Sequence, residues 1–335
     1  MKEIKKSQNN LLLGINILLI FVVIILVFVV INISNDKVNI KDIIFRDNGG
    51  TFQYTNPILD CEISGLDNSL VVFSSEFNKK VEELKNKYLV SHVSVYFRDL
   101  NNGPWIGINE KETFSPASLL KVPIFMALLF QAQFDPSILA QKVIIKQSDV
   151  NQNINQNIIF DNVLIVGQEY TLEQVVESMI QKSDNTAVPI LLRDIKPKFI
   201  ENIFKSIGVP FKDLSTEVRV RVKDYAGFFR VLYNSSYLDR EMSEKALEIL
   251  SRSDYKNGIV AGIPDGIKVA HKFGERKSLD LEESQLHDCG IIYYSDAPYI
   301  LCVMTRGNNF INQENVIRDI SSYVYSEVDK NKIYK

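Results

Sequence analysis

Leu11 to Ile33 is almost wholly apolar, broken only by Gly14, Asn16 and Asn32. At ~1.5 Å per helical residue such a run crosses the ~30 Å hydrocarbon layer of a bilayer, so the pattern predicts a transmembrane helix over 11–33. A cleaved signal peptide has a shorter apolar core, of roughly 7–15 residues, and a small-x-small site after it, and none follows here. Lys2, Lys5 and Lys6 against the single Glu3 place residues 1–10 in the cytoplasm and all that follows Ile33 outside. Residues 34–70 are mixed and polar, with short apolar pieces such as Pro57-Ile58-Leu59, and read as an extracytoplasmic stalk ahead of a folded domain over 71–330.

Within that domain the period changes several times. Phe73, Phe77, Val81, Leu84 and Tyr88 recur at helical spacing, and Val93, Val95 and Phe97 then alternate with Ser94, Tyr96 and Arg98. With Trp105 to Ile108 after Asn101-Asn102-Gly103-Pro104, the second pattern predicts a hairpin. Val122 to Phe130 is a nine-residue run with no charge, the mark of a helix buried nearly all round. Phe134 to Tyr170 reads as loop-rich, with the polar run Gln147 to Gln156 on the surface at the rim of a cleft. Thr171 and Gln174 suit a capping box that opens a helix running to Ile180. Further helices are expected over 197–208, 223–233 and 240–251. Strands are expected over 267–274, 286–294 and 298–305, and a last helix is marked by Val316, Ile320, Tyr323 and Val324.

Composition narrows the function little. The 335 residues carry 38 basic and 41 acidic side chains, a net charge of −3, so no strong field points to nucleic acid. His92, His271 and His287 show no metal-ligand spacing, and neither metal nor cofactor is expected. Cys61, Cys289 and Cys302 are an odd number for an exported chain. Cys289 and Cys302 fall on runs that suit adjacent antiparallel strands, where a disulfide or two small buried thiols would fit, and the thiols are preferred.

Candidate chemistry centres on Ser118-Leu119-Leu120-Lys121. A serine hydroxyl is a weak nucleophile at neutral pH, and residues i and i+3 share a helix face, so Lys121 is placed to take the Ser118 proton. The same spacing occurs at Ser34/Lys37 and Ser253/Lys256, but only the Ser118 copy leads into a buried helix, where desolvation lowers the lysine pKa. Alone, the pattern is better read as a serine N-cap with a lysine beside it. Pro123 removes the backbone donor to the Leu119 carbonyl and predicts a kink in the first turns. Ser183-Asp184-Asn185 follows at a junction between helices, where capping is the plain alternative. Lys272, in His271-Lys272-Phe273-Gly274, sits inside a strand pattern; a buried lysine there needs partners, and an edge lysine facing water is the other reading.

Taken together and in this order, the three segments resemble the Ser-x-x-Lys, Ser-Asp-Asn and Lys-Thr-Gly motifs of the class A β-lactamase and penicillin-binding protein superfamily, two of them matching fully. The resemblance covers the chain from about Phe73. It implies an α+β fold, an α/β/α sandwich with a five-stranded antiparallel sheet and an all-helical subdomain inserted after the hairpin. It also implies Ser118, Lys121, Ser183 and Lys272 as catalytic residues, with Ser183 relaying a proton to the leaving nitrogen. Asn185 would hold the substrate amide and Lys121, Asp184 would brace the turn, and substrate would lie against Gly274 and Glu275. The amides of Ser118 and Glu275 would form the oxyanion hole.

Two departures from the family pattern matter. Phe273 replaces a residue whose hydroxyl meets the substrate carboxylate, leaving Arg276 as a substitute. No Glu-x-x-Leu-Asn occurs between Gly208 and Tyr225 to activate a deacylating water. Glu217, in a 215–222 segment that alternates like a strand with Arg219 and Arg221, suits an ion pair better than a base. The expectation is a membrane-anchored extracytoplasmic serine hydrolase, acylated at Ser118 by a β-lactam or a D-alanyl peptide amide, which it hydrolyses. The alternatives are a D-alanyl-D-alanine carboxypeptidase-type penicillin-binding protein with slow deacylation, and a non-catalytic binder of cell-wall peptides.

Overall fold

The computed structural model describes residues 53–56, 68–101, 103–150, 156–161, 163–277, 283–295 and 297–330, all within one compact unit, Gly50–Lys335. The expected cytoplasmic tail, the membrane span over 11–33 and almost all of the stalk lie outside the described residues.

Helix α1 (Asn68–Lys87) leads into the expected hairpin, β1 (His92–Asp99) and β2 (Trp105–Ile108), with Val95 opposite Ile108 and Arg98 opposite Trp105. A two-residue strand, β3 (Thr113–Phe114), and one turn of 3-10 helix over Ala117–Leu120 precede α2 (Lys121–Ala132). After α3 (Ser137–Ala140), strands β4 (Lys142–Ile144) and β5 (Glu169–Thr171) pair antiparallel. The capping box forms as expected at α4 (Leu172–Gln181): Gln174 N donates to Thr171 Oγ1 at 3.2 Å and Thr171 N to Gln174 Oε1 at 2.9 Å. Helices α5 (Ala187–Asp194) and α6 (Pro197–Ser206) follow.

The strand expected over 215–222 is cut to β6 (Val220–Arg221), paired with β3, because Val222 already opens α7 (Val222–Tyr233). Arg221 consequently leaves Glu217 and pairs with Asp224 one helical turn on, at 2.7 Å. Helix α8 (Arg240–Ser251), strands β7 (Val269–Lys277), β8 (Ser284–Ile292) and β9 (Tyr299–Gly307), and α9 (Phe310–Asp329) complete the domain.

The five long strands form one antiparallel sheet in the order β2-β1-β9-β8-β7, so first and last segments of the domain meet in its middle and β7 is an edge. Alternation along each strand divides two cores. Val93, Val95, Phe97 and Phe273 pack with Phe77 and Val81 of α1 and Val316 and Ile320 of α9. Tyr96, Ala270 and Ile291 pack instead with the inserted helices, α2 among them. A sheet covered on both faces needs apolar residues at successive positions, and β9 is buried along most of its length for that reason.

Cys289 and Cys302 are register partners on β8 and β9, with Cα atoms 3.9 Å apart, and a disulfide joins them. The preference for two free thiols is overturned by that register, which spacing along the chain does not reveal.

Candidate active site

Ser118 sits in the 3-10 turn that precedes α2, not inside the helix. Because α2 begins only at Lys121, Pro123 falls in its first turn, where a missing N–H costs least. The Leu119 carbonyl, which Pro123 cannot serve, accepts from the Tyr225 hydroxyl of α7 at 2.9 Å as well as from the Lys121 N–H. Ala117, just before Ser118, holds φ +50°, a left-handed conformation that costs a non-glycine residue about 1–3 kcal/mol and that its neighbours must enforce.

They do so through Ser115. Its N–H donates to Gln285 Oε1 at 3.1 Å, its Oγ accepts from Arg276 Nη1 at 2.7 Å, and its carbonyl accepts from His287 Nε2 at 3.0 Å. Thr305 N–H donates to His287 Nδ1 at 3.2 Å, which makes Nε2 the protonated nitrogen of a neutral ring. Burial lowers the His287 pKa to about 4 and keeps the ring neutral. Motif reading missed this anchor, since a histidine inside a strand carries no local signal of its partner.

Gly274 shows why a glycine follows Lys272 and Phe273 on β7. A Cβ there would meet Leu119 N and Pro116 O at 2.9 Å each, so glycine alone lets this strand lie against the turn that carries Ser118. Glu275 follows on the same edge and lines the cleft with Ser118.

Lys121 is 3% exposed, and burial lowers its pKa to about 7, partly opposed by Asp184 and Glu275. Its ammonium donates to Ser183 O, to Ser183 Oγ at 3.1 Å and to Asn185 Oδ1 at 2.7 Å. These acceptors all belong to Ser-Asp-Asn, and none of them is the Ser118 hydroxyl expected from i,i+3 spacing. Catalytic hydrogen bonds often tighten only with substrate bound. Ser183 also adopts a left-handed φ of +54°. Asp184 holds that turn by accepting from Leu164 N, Ser178 Oγ and Thr186 N, each at 2.9 Å.

Lys272 is wholly buried rather than facing water. Its Nζ donates to Phe273 O at 2.9 Å and lies 4.1 Å over the Phe273 ring. Its pKa is pushed well down by burial and then by Lys121, against opposing pulls from Asp288 and Glu275. The Phe273 ring belongs to the second core, stacked on Tyr255 at 4.2 Å. The side chain at position 273 therefore fills that core.

In front of Ser118 lies a cleft of about 1180 Å³, whose walls include Asn185, Leu214, Glu217, Glu275 and Arg276. Gln147 to Val150 and Gln156, the described part of the 147–156 run, contribute to its rim as expected, though Asp149 is buried and paired with Arg193. Glu217 faces the cleft with its side chain 57% exposed, paired with Arg219 at 3.2 Å and Arg276 at 3.7 Å. Among the described residues no cluster of histidine, cysteine and acidic side chains is arranged to hold a metal.

The fold recurs among solved structures. The chain superposes on PBP-A with a TM-score of 0.63 at 20% identity, covering 76% of this chain and 97% of that one. A β-lactamase from Chitinophaga pinensis gives 0.66 at 19%, over 76% and 99%, and one from Francisella tularensis gives 0.64 at 19%, over 76% and 99%. At such identities the likeness speaks for the fold alone. Residues 76–328, spanning the sheet, both cores and all three motifs, match the beta-lactamase enzyme family, and the chain belongs to that family.

Proposed function

We propose that this protein is a membrane-anchored, extracytoplasmic serine hydrolase that forms an acyl-enzyme at Ser118 with a β-lactam or a D-alanyl peptide amide and then hydrolyses it. The observation that carries the reading is the buried Lys121 ammonium, tied to Ser183 and Asn185 with its pKa drawn down to about 7. A lysine in that state is a base at neutral pH, and the hydroxyl beside it can pass the proton on.

In this mechanism neutral Lys121 takes the Ser118 proton as Oγ attacks the carbonyl carbon. The amides of Ser118 and Glu275 stabilise the oxyanion, and Ser183 Oγ delivers a proton to the leaving nitrogen. Lys272, near enough to Lys121 to feel its charge, adds a second ammonium to the site, and Asn185 orients both Lys121 and the substrate amide. Arg276, at the cleft wall, takes the carboxylate contact that Phe273 cannot make.

Glu217 favours a second reading, a D-alanyl-D-alanine carboxypeptidase-type protein that β-lactams inhibit by slow deacylation. That carboxylate is exposed and engaged by two arginines, which suits an ion pair more than a water-activating base. Anchoring rests on the apolar run over 11–33, and the Cys289–Cys302 disulfide suits an oxidising compartment. The test is a fluorescent penicillin chased over time on wild type and Ser118→Ala. Label that needs Ser118 and leaves within seconds supports hydrolysis, and a persistent adduct supports the peptidase. No adduct rejects both in favour of a binder.

A further inference from the structure

Nothing in the reaction above uses the Glu275 side chain, although it is among the best-satisfied carboxylates near the cleft. Its Oε1 accepts from Asn157 N at 3.0 Å and Ile158 N at 2.8 Å, and its Oε2 accepts from Asn157 Nδ2 at 3.0 Å. The neighbouring Gln156 Nε2 donates to Ser183 O at 3.4 Å, the same carbonyl that accepts from Lys121. Four residues on from Gln156, Phe160 sets its ring edge-on to Phe273 with centroids 5.9 Å apart, and Ile158 and Phe160 both pack on the second core.

The segment from Gln156 to Phe160 is thus pinned at Ser183, at Glu275 and at Phe273. Ser183 and Lys272, which belong to two of those anchoring elements, have no exposed surface at all. Charge-assisted bonds from backbone amides are roughly twice as strong as neutral ones, so the carboxylate is the firmest of the three pins. Resting on the serine-hydrolase reading of this site, we infer that Glu275 is a positioning residue whose carboxylate holds Gln156–Phe160 as a dry cover over Ser183 and Lys272, keeping water from the two lysines.

The sign of the consequence is decided by competing causes. Lys121 is faced by Asp184 and by Glu275, both favouring its charged form, with Lys272 beside it and Glu217 and Arg276 on the cleft wall. Removing the Glu275 charge by itself lowers the Lys121 pKa. Opening the cover hydrates Lys121 and raises it, and burial is the largest of the causes. The cover therefore predicts a shift toward alkaline pH, against the direction that charge loss alone would give.

The experiment uses the full chain with Glu275→Ala, Glu275→Asp and, as a variant that leaves the carboxylate in place, Phe160→Ala. Hydrogen exchange at Asn157 and Ile158 is followed together with the pH dependence of Ser118 labelling by fluorescent penicillin. Glu275→Ala is expected to lose amide protection at both positions and to move the acid limb of labelling alkaline by about one unit or more. Glu275→Asp recovers part of both effects, and Phe160→Ala moves the limb the same way by less. Unchanged exchange, an unmoved limb or a shift toward acid overturns the assignment while labelling itself stands. Failure of the wild type to label at Ser118 overturns the hydrolase reading and this assignment with it.

Discussion

At a pKa of about 7, Lys121 is half in its base form at neutral pH, whereas an exposed lysine would be almost wholly protonated. Ser118 acylation is therefore expected to rise with pH through about 7 and then level off, and a rate flat between pH 5 and 9 rejects Lys121 as the base. Tyr225 acts on the same turn from outside it. Tyr225→Phe removes the hydroxyl donor from the buried Leu119 carbonyl and is expected to cost about 0.5–1.5 kcal/mol, read as a lower melting temperature. For His287 the sign follows from its depressed pKa. Between about 4 and 6.5 the unfolded chain binds a proton that the folded ring refuses, so stability falls as pH drops through that window. The loss amounts to about 3 kcal/mol, and His287→Gln should flatten that part of the stability–pH curve. Serine, lysine and the Ser-Asp-Asn run were legible in the sequence because each is a local string. Tyr225 and His287 were not, since they meet the segment around Ser118 across separations of 106 and 172 residues.

Elements meet at the site through one close approach, that of β7 to the 3-10 turn over Ala117–Leu120. Gly274→Ala would force the two backbones apart by tenths of an ångström, and misplacing reacting groups by about 1 Å costs on the order of 100-fold. Labelling of Ser118 is expected to slow by about 10- to 100-fold in that variant while the melting temperature falls only modestly. An unaltered labelling rate would show that the strand does not position the nucleophile. Hairpin, capping box and helices were readable because their periods and caps are short-range. The 215–222 segment misled because its alternation over a few residues is shared by an extended lead-in and a strand, and only pairing with β3 limits the strand to Val220–Arg221.

Over the whole molecule, sheet order ties the first hairpin to the last strands, and the Cys289–Cys302 bridge staples β8 to β9. Closing a loop of this size contributes about 3 kcal/mol, so reductant is expected to lower the melting temperature measurably, and Cys289→Ala should abolish that sensitivity. No response to reductant would argue against the bridge in solution.

What the sequence by itself determined is the order and kind of the main elements, the three motifs and the apolar run at 11–33, all properties of neighbouring residues that period and composition record. Tertiary structure alone decided the disulfide register, the neutral His287 anchor, the direction of Phe273 and the cover held by Glu275. Each of these arises where distant segments exclude water together, and burial, which sets both the lysine pKa and the worth of every bond around it, is a property of the packed whole.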